Sequence, residues 1–242
     1  MGGIASAGLV AASLVMGAPS GAGASAIPAR AAATTPAHLW HAEGNADDSV
    51  GADNGTLVGA GFGPGVLGPD QAFSFAGGTQ RVVFNKSGGN RRRGDFTLAF
   101  YIKTTSTRSE GIWEKRIACN SDGTPLWTFG HHPTGQIRLE LFTGSTSYIV
   151  DSTTSVNDGN WHLVVATRHG VTFSIYIDGN LEGTTTTATT VNLINDARMR
   201  IGRVTCVGVA GIHPFIGELD ELMIFKTAFT QQQIQALARL TG

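Results

Sequence analysis

Short runs in which apolar and polar residues alternate with a period of two recur along the chain as far as residue 226, separated by Gly, Asn and Asp. That period puts successive side chains on opposite faces of a strand, whereas a helix needs 3.6. Residues 72–76 and 80–84 read as short strands split by Gly77-Gly78. Longer strands are expected over 96–103, 136–141, 161–168, 171–177, 181–187, 198–202 and 216–225. Asp178-Gly179-Asn180 is a hairpin turn, because Gly and Asn tolerate positive φ. Roughly a dozen strands at this spacing imply one all-β sandwich or jelly roll of antiparallel sheets, not two domains. One short helix is expected at the end of the chain. Thr230 and Gln233 form a capping box, and Ile234, Leu237 and Leu240 share a face that would seal an edge or an open end of the sheets.

Composition narrows the class. Of 242 residues 33 are Gly and only 14% are charged, which disfavours coiled coils and helical bundles. A hydrophobic content of 41% is too high for a disordered chain. A formal net charge of -1 lacks the basic field that nucleic acid requires.

Residues 1–31 read as a signal peptide or leader. The apolar run 4–16 is too short to span a bilayer, and Ala24-Ser25-Ala26 or Ala29-Arg30-Ala31 gives an A-x-A cleavage pattern. No Lys or Arg precedes Arg30, so the start codon is expected further upstream; an Ala/Gly-rich disordered leader is the alternative. The body, 34–242, would then be a secreted, extracellular domain without stable membrane insertion. In that compartment Cys119 and Cys206, the two cysteines of the chain, are expected to form a disulfide.

Several segments together resemble the LamG-like jelly-roll domains of secreted bacterial proteins, within the concanavalin A-like lectin/glucanase superfamily. They are Leu39-Trp40 with Glu43-Gly44, Asp48-Ser49, Asn54-Gly55-Thr56-Leu57, Gly65 to Phe75, and Gly94-Asp95-Phe96-Thr97-Leu98. Asp158 to Val164, Ile175 to Gly179, Phe215 to Glu221 and the capped helix complete the order, over about residues 36–240. The resemblance implies a concanavalin A-like sandwich with Trp161 and the Val164–Ala166 face between its sheets, and Gly217 letting the last strand bend.

Many superfamily members place one structural Ca²⁺ between an N-terminal loop and an Asp of the last long strand. Carried over by position, the ligands would be Asp48, Asn54 and Asp220, although Ala52 and Ala42 stand where an Asn and an acidic residue are usual. A plain turn is the competing reading of that loop. Glycoside hydrolases of the same fold carry paired carboxylates on one strand, and Glu218 and Asp220 share a face whereas Glu221 should point away. His131-His132 reads as a polar loop cluster, and Arg91-Arg92-Arg93 as a solvated loop tip. Trp113, Trp127 and Tyr148 could stack on sugar rings, and Trp127, His131, His132, Arg138 and Tyr148 form the candidate ligand set. The expected function is a non-catalytic module binding a carbohydrate or surface glycoconjugate. The alternatives are a divergent glycoside hydrolase or lyase using Glu218 and Asp220, and a protein-interaction or adhesion module.

Overall fold

The computed structural model describes residues 35–119 and 123–239. The leader, residues 1–31, and Leu240 lie outside the described residues.

Two antiparallel sheets face each other. The first runs, edge to edge, β13 (Asn180–Thr186), β12 (Thr172–Ile177), β11 (His162–His169), β6 (Phe96–Lys103), β16 (Ile216–Phe225), β4 (Gln71–Ala76) and β3 (Gly61–Pro64), with β1 (His38–Trp40) also pairing β16. The second runs β10 (Ser147–Ser155), β9 (Gln136–Phe142), β8 (Leu126–His131), β7 (Glu110–Lys115), β14 (Met199–Ile201), β5 (Arg81–Val83) and β2 (Thr56–Val58). The short β15 (His213–Pro214) pairs β7 in parallel. This is the concanavalin A-like jelly-roll sandwich.

Alternation explains the core. Leu98, Phe100 and Ile102 of β6 and Leu222 and Ile224 of β16 point between the sheets, where they meet Ile112, Trp113, Trp127, Phe129 and Leu139. Trp113 and Trp127 meet edge to face, ring centroids 5.3 Å apart at 86°. Such a pair is worth about 0.5–1.5 kcal/mol beyond its area burial. The other face of the first sheet is also apolar. Ala99, Tyr101, Val165, Met223 and Phe225 pack under Ile234 and Leu237 of α1 (Gln231–Ala238). The helix therefore covers a sheet face rather than an edge. Its capping box is formed as expected, and Tyr101 Oη donates to Leu237 O at 3.1 Å. Trp161 is half-buried on this helix side, not between the sheets.

Glycine is required where backbones meet. At Gly217, φ is 143° and an added Cβ would lie 2.3 Å from Lys103 O. The hairpin at Asp178-Gly179 uses φ of 50° and 83°.

Arg92 and Arg93 are exposed as a loop tip should be, but Arg91 is not part of that solvated tip. Arg91 is buried and donates to Gly88 O. Lys115 Nζ, also buried, donates to Lys86 O at 2.6 Å and Ala197 O at 2.7 Å. Arg168 donates to Gly94 O, Val191 O and Arg92 O. Trp127 Nε1 donates to Gly89 O at 3.0 Å. Inward-reaching cations thus satisfy the carbonyls of a loop that has no strand partner.

Cys119 and Cys206 form the expected disulfide, at a sequence separation of 87. Closing such a loop stabilises by up to about 4–5 kcal/mol in the chain-entropy model. Reduction should lower the melting temperature by roughly 5–15 °C. A thiol assay on the denatured, unreduced protein should find no free thiol; two thiols would contradict the pairing.

Candidate ligand-binding face

α1 covers the outer side of the central strands of the first sheet, β6, β11 and β16, whereas among the described residues no helix covers the outside of the second, hereafter the open face. Its strand register lays polar side chains in a row. Arg200 of β14 lies opposite Glu114 of β7, Glu114 opposite Thr128 of β8, and Thr128 opposite Glu140 of β9. In the next row Gly130 lies opposite Arg138, and Arg138 opposite Asp151 of β10. Arg138 grips Asp151 with two bonds of 2.8 Å, from Nε and Nη2. The pairing holds the Asp151 carboxyl below its usual range and raises the guanidinium.

The segment 203–212 rides across this face. Val204 rests on Gly111 of β7, where a Cβ would come within 2.1 Å of Val204 Cγ2. Cys206 ties the segment to Cys119, and Arg116 Nη1 donates to Cys206 Sγ at 2.9 Å. Thr205 donates its N–H and hydroxyl to Glu114 Oε1, both at 2.5 Å, while Glu114 Oε2 is buried without a partner among the described residues. Burial pushes the Glu114 carboxyl up.

A hollow of about 240 Å³ lies on one flank of this segment, lined by Glu110, His131, His132, Arg138, Ala210 and Ile212. Three of the five residues in the candidate ligand set meet there. His131 ends β8 and turns inward, its Nδ1 3.1 Å from Arg108 O, and burial lowers its pKa against the opposing pull of that bond. His132 follows the strand and places Nε2 3.4 Å from Asp151 Oδ1. The two histidines thus belong to opposite environments rather than to one polar loop cluster.

Tyr148 is elsewhere. It lines a hollow of about 550 Å³ with Arg93, Thr143 and the segment 187–192, whose walls are rich in hydroxyl groups. Trp127 corrects the sequence reading outright: at 0% exposure it is a core residue and cannot stack on a ligand, and Trp113 is buried beside it. Arg198 and Arg200, unlike Arg138, escaped the sequence reading, although Arg198-Met199-Arg200-Ile201 alternates and so puts these two arginines on one side.

The carboxylates near the chain's two ends are arranged for structure. Asp48 Oδ1 accepts the N–H groups of Leu39, Val50 and Gly51, and Oδ2 takes Asp53 N and His38 Nδ1. Burial alone would raise the Asp48 carboxyl, but His38 and these N–H groups hold it below its usual range. Asn54 Oδ1 accepts Asp48 N at 3.0 Å. Both oxygens of Asp48 are spent on a turn, so Asp48 as placed does not fit the calcium ion that the resemblance implies, and Asn54 Oδ1 holds the same turn through one bond. Among the described residues no group of three or more His, Cys, Asp or Glu is placed to hold a metal ion. Chelator should therefore leave the melting temperature unchanged; a rise of several degrees on adding Ca²⁺ would contradict this account of the turn.

Asp220 is 0% exposed and accepts Val66 N at 2.9 Å and Glu221 N at 2.8 Å. Burial pushes its carboxyl up to about 8, helped by repulsion from Glu221 and Asp70 and opposed by the two N–H groups. Glu221 does not simply alternate away. It has φ of 46° at an irregularity of register between Asp220 and Met223, and binds His41 Nδ1 at 2.8 Å. With Asp220 out of reach of solvent, Glu218 and Asp220 are not a pair that could flank a glycosidic bond.

The fold places this domain in the class of lectin-like, concanavalin A-type sandwiches. The family model Laminin_G_3, described as the concanavalin A-like lectin/glucanases superfamily, matches residues 76–235, and the chain belongs to that family. Among solved structures, domain 4 of AbnA, a GH43 extracellular arabinanase from Geobacillus stearothermophilus in complex with arabinotriose, is similar at TM-score 0.67 and 18% identity, over 85% of this chain and 98% of that one. The binding domain of Paraclostridial Mosquitocidal Protein 1 is similar at TM-score 0.66 and 12% identity, over 84% and 51%. The botulinum neurotoxin serotype G binding domain is similar at TM-score 0.66 and 12% identity, over 85% and 51%. This chain therefore spans about half the length of the toxin domains it matches. A search of curated protein sequences gives no significant match.

Proposed function

We propose that the domain is a non-catalytic module that binds a carbohydrate or surface glycoconjugate on the outer face of its second sheet. The observation that carries the reading is that face itself: the outer side of a sheet that the segment 203–212 crosses but no helix covers among the described residues, with a polar row flanked by hollows. Hydrogen-bonding side chains held in register on rigid strands suit an oligosaccharide, which offers many hydroxyls and small apolar ring faces. The arabinanase domain, solved with arabinotriose and matched over 98% of its length, supports the same reading. The disulfide fits work outside the cytoplasm. Among the described residues no helix is long and apolar enough to cross a membrane.

The test is a glycan array probed with the domain and with Arg138→Ala. That change frees Asp151 and opens the 240 Å³ hollow. Binding of at least one glycan class, weakened about tenfold or more in the variant, is the expected result. No binder on the array would refute the reading, and release of reducing sugar that disappears in Glu218→Gln would replace it with a hydrolase. The similarity to toxin binding domains also accommodates a second reading, adhesion to a protein partner. Capture of a deglycosylated envelope protein, with no binder on the array, would decide for it.

A further inference from the structure

On the other flank of segment 203–212 the open face carries a second hollow, of about 570 Å³. Arg81 of β5, Arg200 of β14, and Arg198 and Arg203 on either side of β14 line it, with Thr56, Val58, Val83, Val204 and Thr205. No carboxylate is among these residues. Glu114 is the counter-charge beneath, but it is buried, and Thr205 occupies its Oε1.

Four guanidinium groups around one concavity repel each other, in a chain with only 17 Lys and Arg and a formal net charge of -1. Three of them are pre-oriented by single bonds: Arg81 Nη1 to Thr79 O at 2.9 Å, Arg200 Nη1 to Thr205 Oγ1 at 3.0 Å, and Arg203 Nη1 to Gly78 O at 3.0 Å. Each bond fixes one nitrogen and leaves the rest of the fork for a ligand. A planar fork matches the paired oxygens of a carboxylate, sulfate or phosphate group. Val58, Val83 and Val204 supply apolar wall for a ring, and the volume lies in the range of a site for a small ligand.

We propose that this hollow is an anion subsite, and that the glycan recognised by the open face is an acidic one, carrying sulfate or uronate groups. The inference rests on the glycan-binding reading above and deepens it. Nucleic acid fits less well, since the basic residues are confined to one hollow, none of its lining residues is aromatic, and the chain as a whole carries no basic field.

Titration calorimetry with the whole domain distinguishes the cases. The probes are a heparin-derived sulfated hexasaccharide, an oligogalacturonate, neutral arabinotriose and a single-stranded DNA oligonucleotide. At least one acidic saccharide should bind ten times or more tighter than arabinotriose and weaken steeply between 50 and 500 mM NaCl. In the double variant Arg198→Gln/Arg203→Gln that advantage should disappear, with the melting temperature unchanged and any arabinotriose binding intact. The two acidic arms separate sulfate from uronate. Neutral sugar bound as well as both acidic ones overturns the inference and leaves the glycan-binding reading standing. Failure of all three saccharides overturns both. DNA bound as tightly as the best saccharide, through the same arginines, makes the hollow a general polyanion site and also overturns the inference.

Discussion

Replacing Arg168 with Ala is expected to cost about 3–5 kcal/mol of stability, from several buried carbonyls left without their donor and from lost packing. The side chain is 0% exposed and lies over the rings of Phe96 and Phe173, at 4.8 and 5.9 Å from their centroids. Its nitrogens satisfy Gly94 O, Val191 O and Arg92 O, from two segments that have no ladder there. Truncation leaves three carbonyls facing a cavity, each worth about 1–3 kcal/mol if it stays dry. Arg168→Lys should recover little, because an ammonium on a flexible stem cannot span carbonyls that a planar fork reaches together. A melt of a domain this size should shift by about 10 °C or more. Because the same segments contribute Arg93 and Val191 to the hollow beside Tyr148, limited proteolysis between 85 and 95 should accelerate in parallel. A shift under 2 °C would show that the carbonyls find water and that the cation is not the anchor.

The second large effect concerns pH. In the folded state the Asp220 carboxyl titrates near 8 instead of 3.8, because burial disfavours its charge. The folded state therefore holds this proton more tightly than the unfolded chain. The stability it supplies is complete below about pH 4 and is lost progressively as pH rises through about 8. The loss would be roughly 6 kcal/mol at most. Glu221, also raised by burial, and His41, raised by its bond to Glu221, act in the same direction; Asp70 and Glu43 add negative charge around them. Asp220→Asn removes the titration but keeps the size. An amide offers one acceptor oxygen where the carboxyl offers two, so one of the bonds from Val66 N and Glu221 N is lost. The variant should be less stable than the parent at pH 5 by about 1–3 kcal/mol and, since the parent loses about 1.4 kcal/mol per pH unit between about pH 4 and 8, should overtake it between about pH 6 and pH 7. Denaturant melts across that interval read the crossing directly. A parent stability that is flat from pH 5 to pH 9, or a variant that never crosses, would contradict this placement of Asp220.

Which parts of this molecule were legible in the sequence follows from where alternation survives. Strands with one wet and one dry face, such as β9, show it plainly. Strand β7 does not, because Glu110 to Lys115 are all buried, with the segment 203–212 lying over the sheet's outer side. Strand β10 was hidden by its polar run, Asp151 to Ser155, and β8 by the His131-His132-Pro133 turn signal at its end. The helix was legible from its capping box, but not the face it covers, since Ile234 and Leu237 fit an edge or a face equally well. Of the site, His131, His132 and Arg138 were found because polar residues near a strand end attract attention. Trp127 was misplaced because composition cannot distinguish a stacking aromatic from a core one. The basic hollow was missed because its arginines come from two distant stretches of chain, 81 and 198–203, which only the pairing of β14 with β5 brings together.

The claim that the outer face of the second sheet is the binding surface is tested most directly by amide shift mapping. The isotope-labelled domain would be titrated with the tightest-binding oligosaccharide from the array. The account expects the largest shifts at Gly111, Gly130, Arg138 and Arg200 and along 203–212, with α1 and the strands beneath it unmoved. Shifts centred on α1, or on the β11–β12 side of the first sheet, would contradict it.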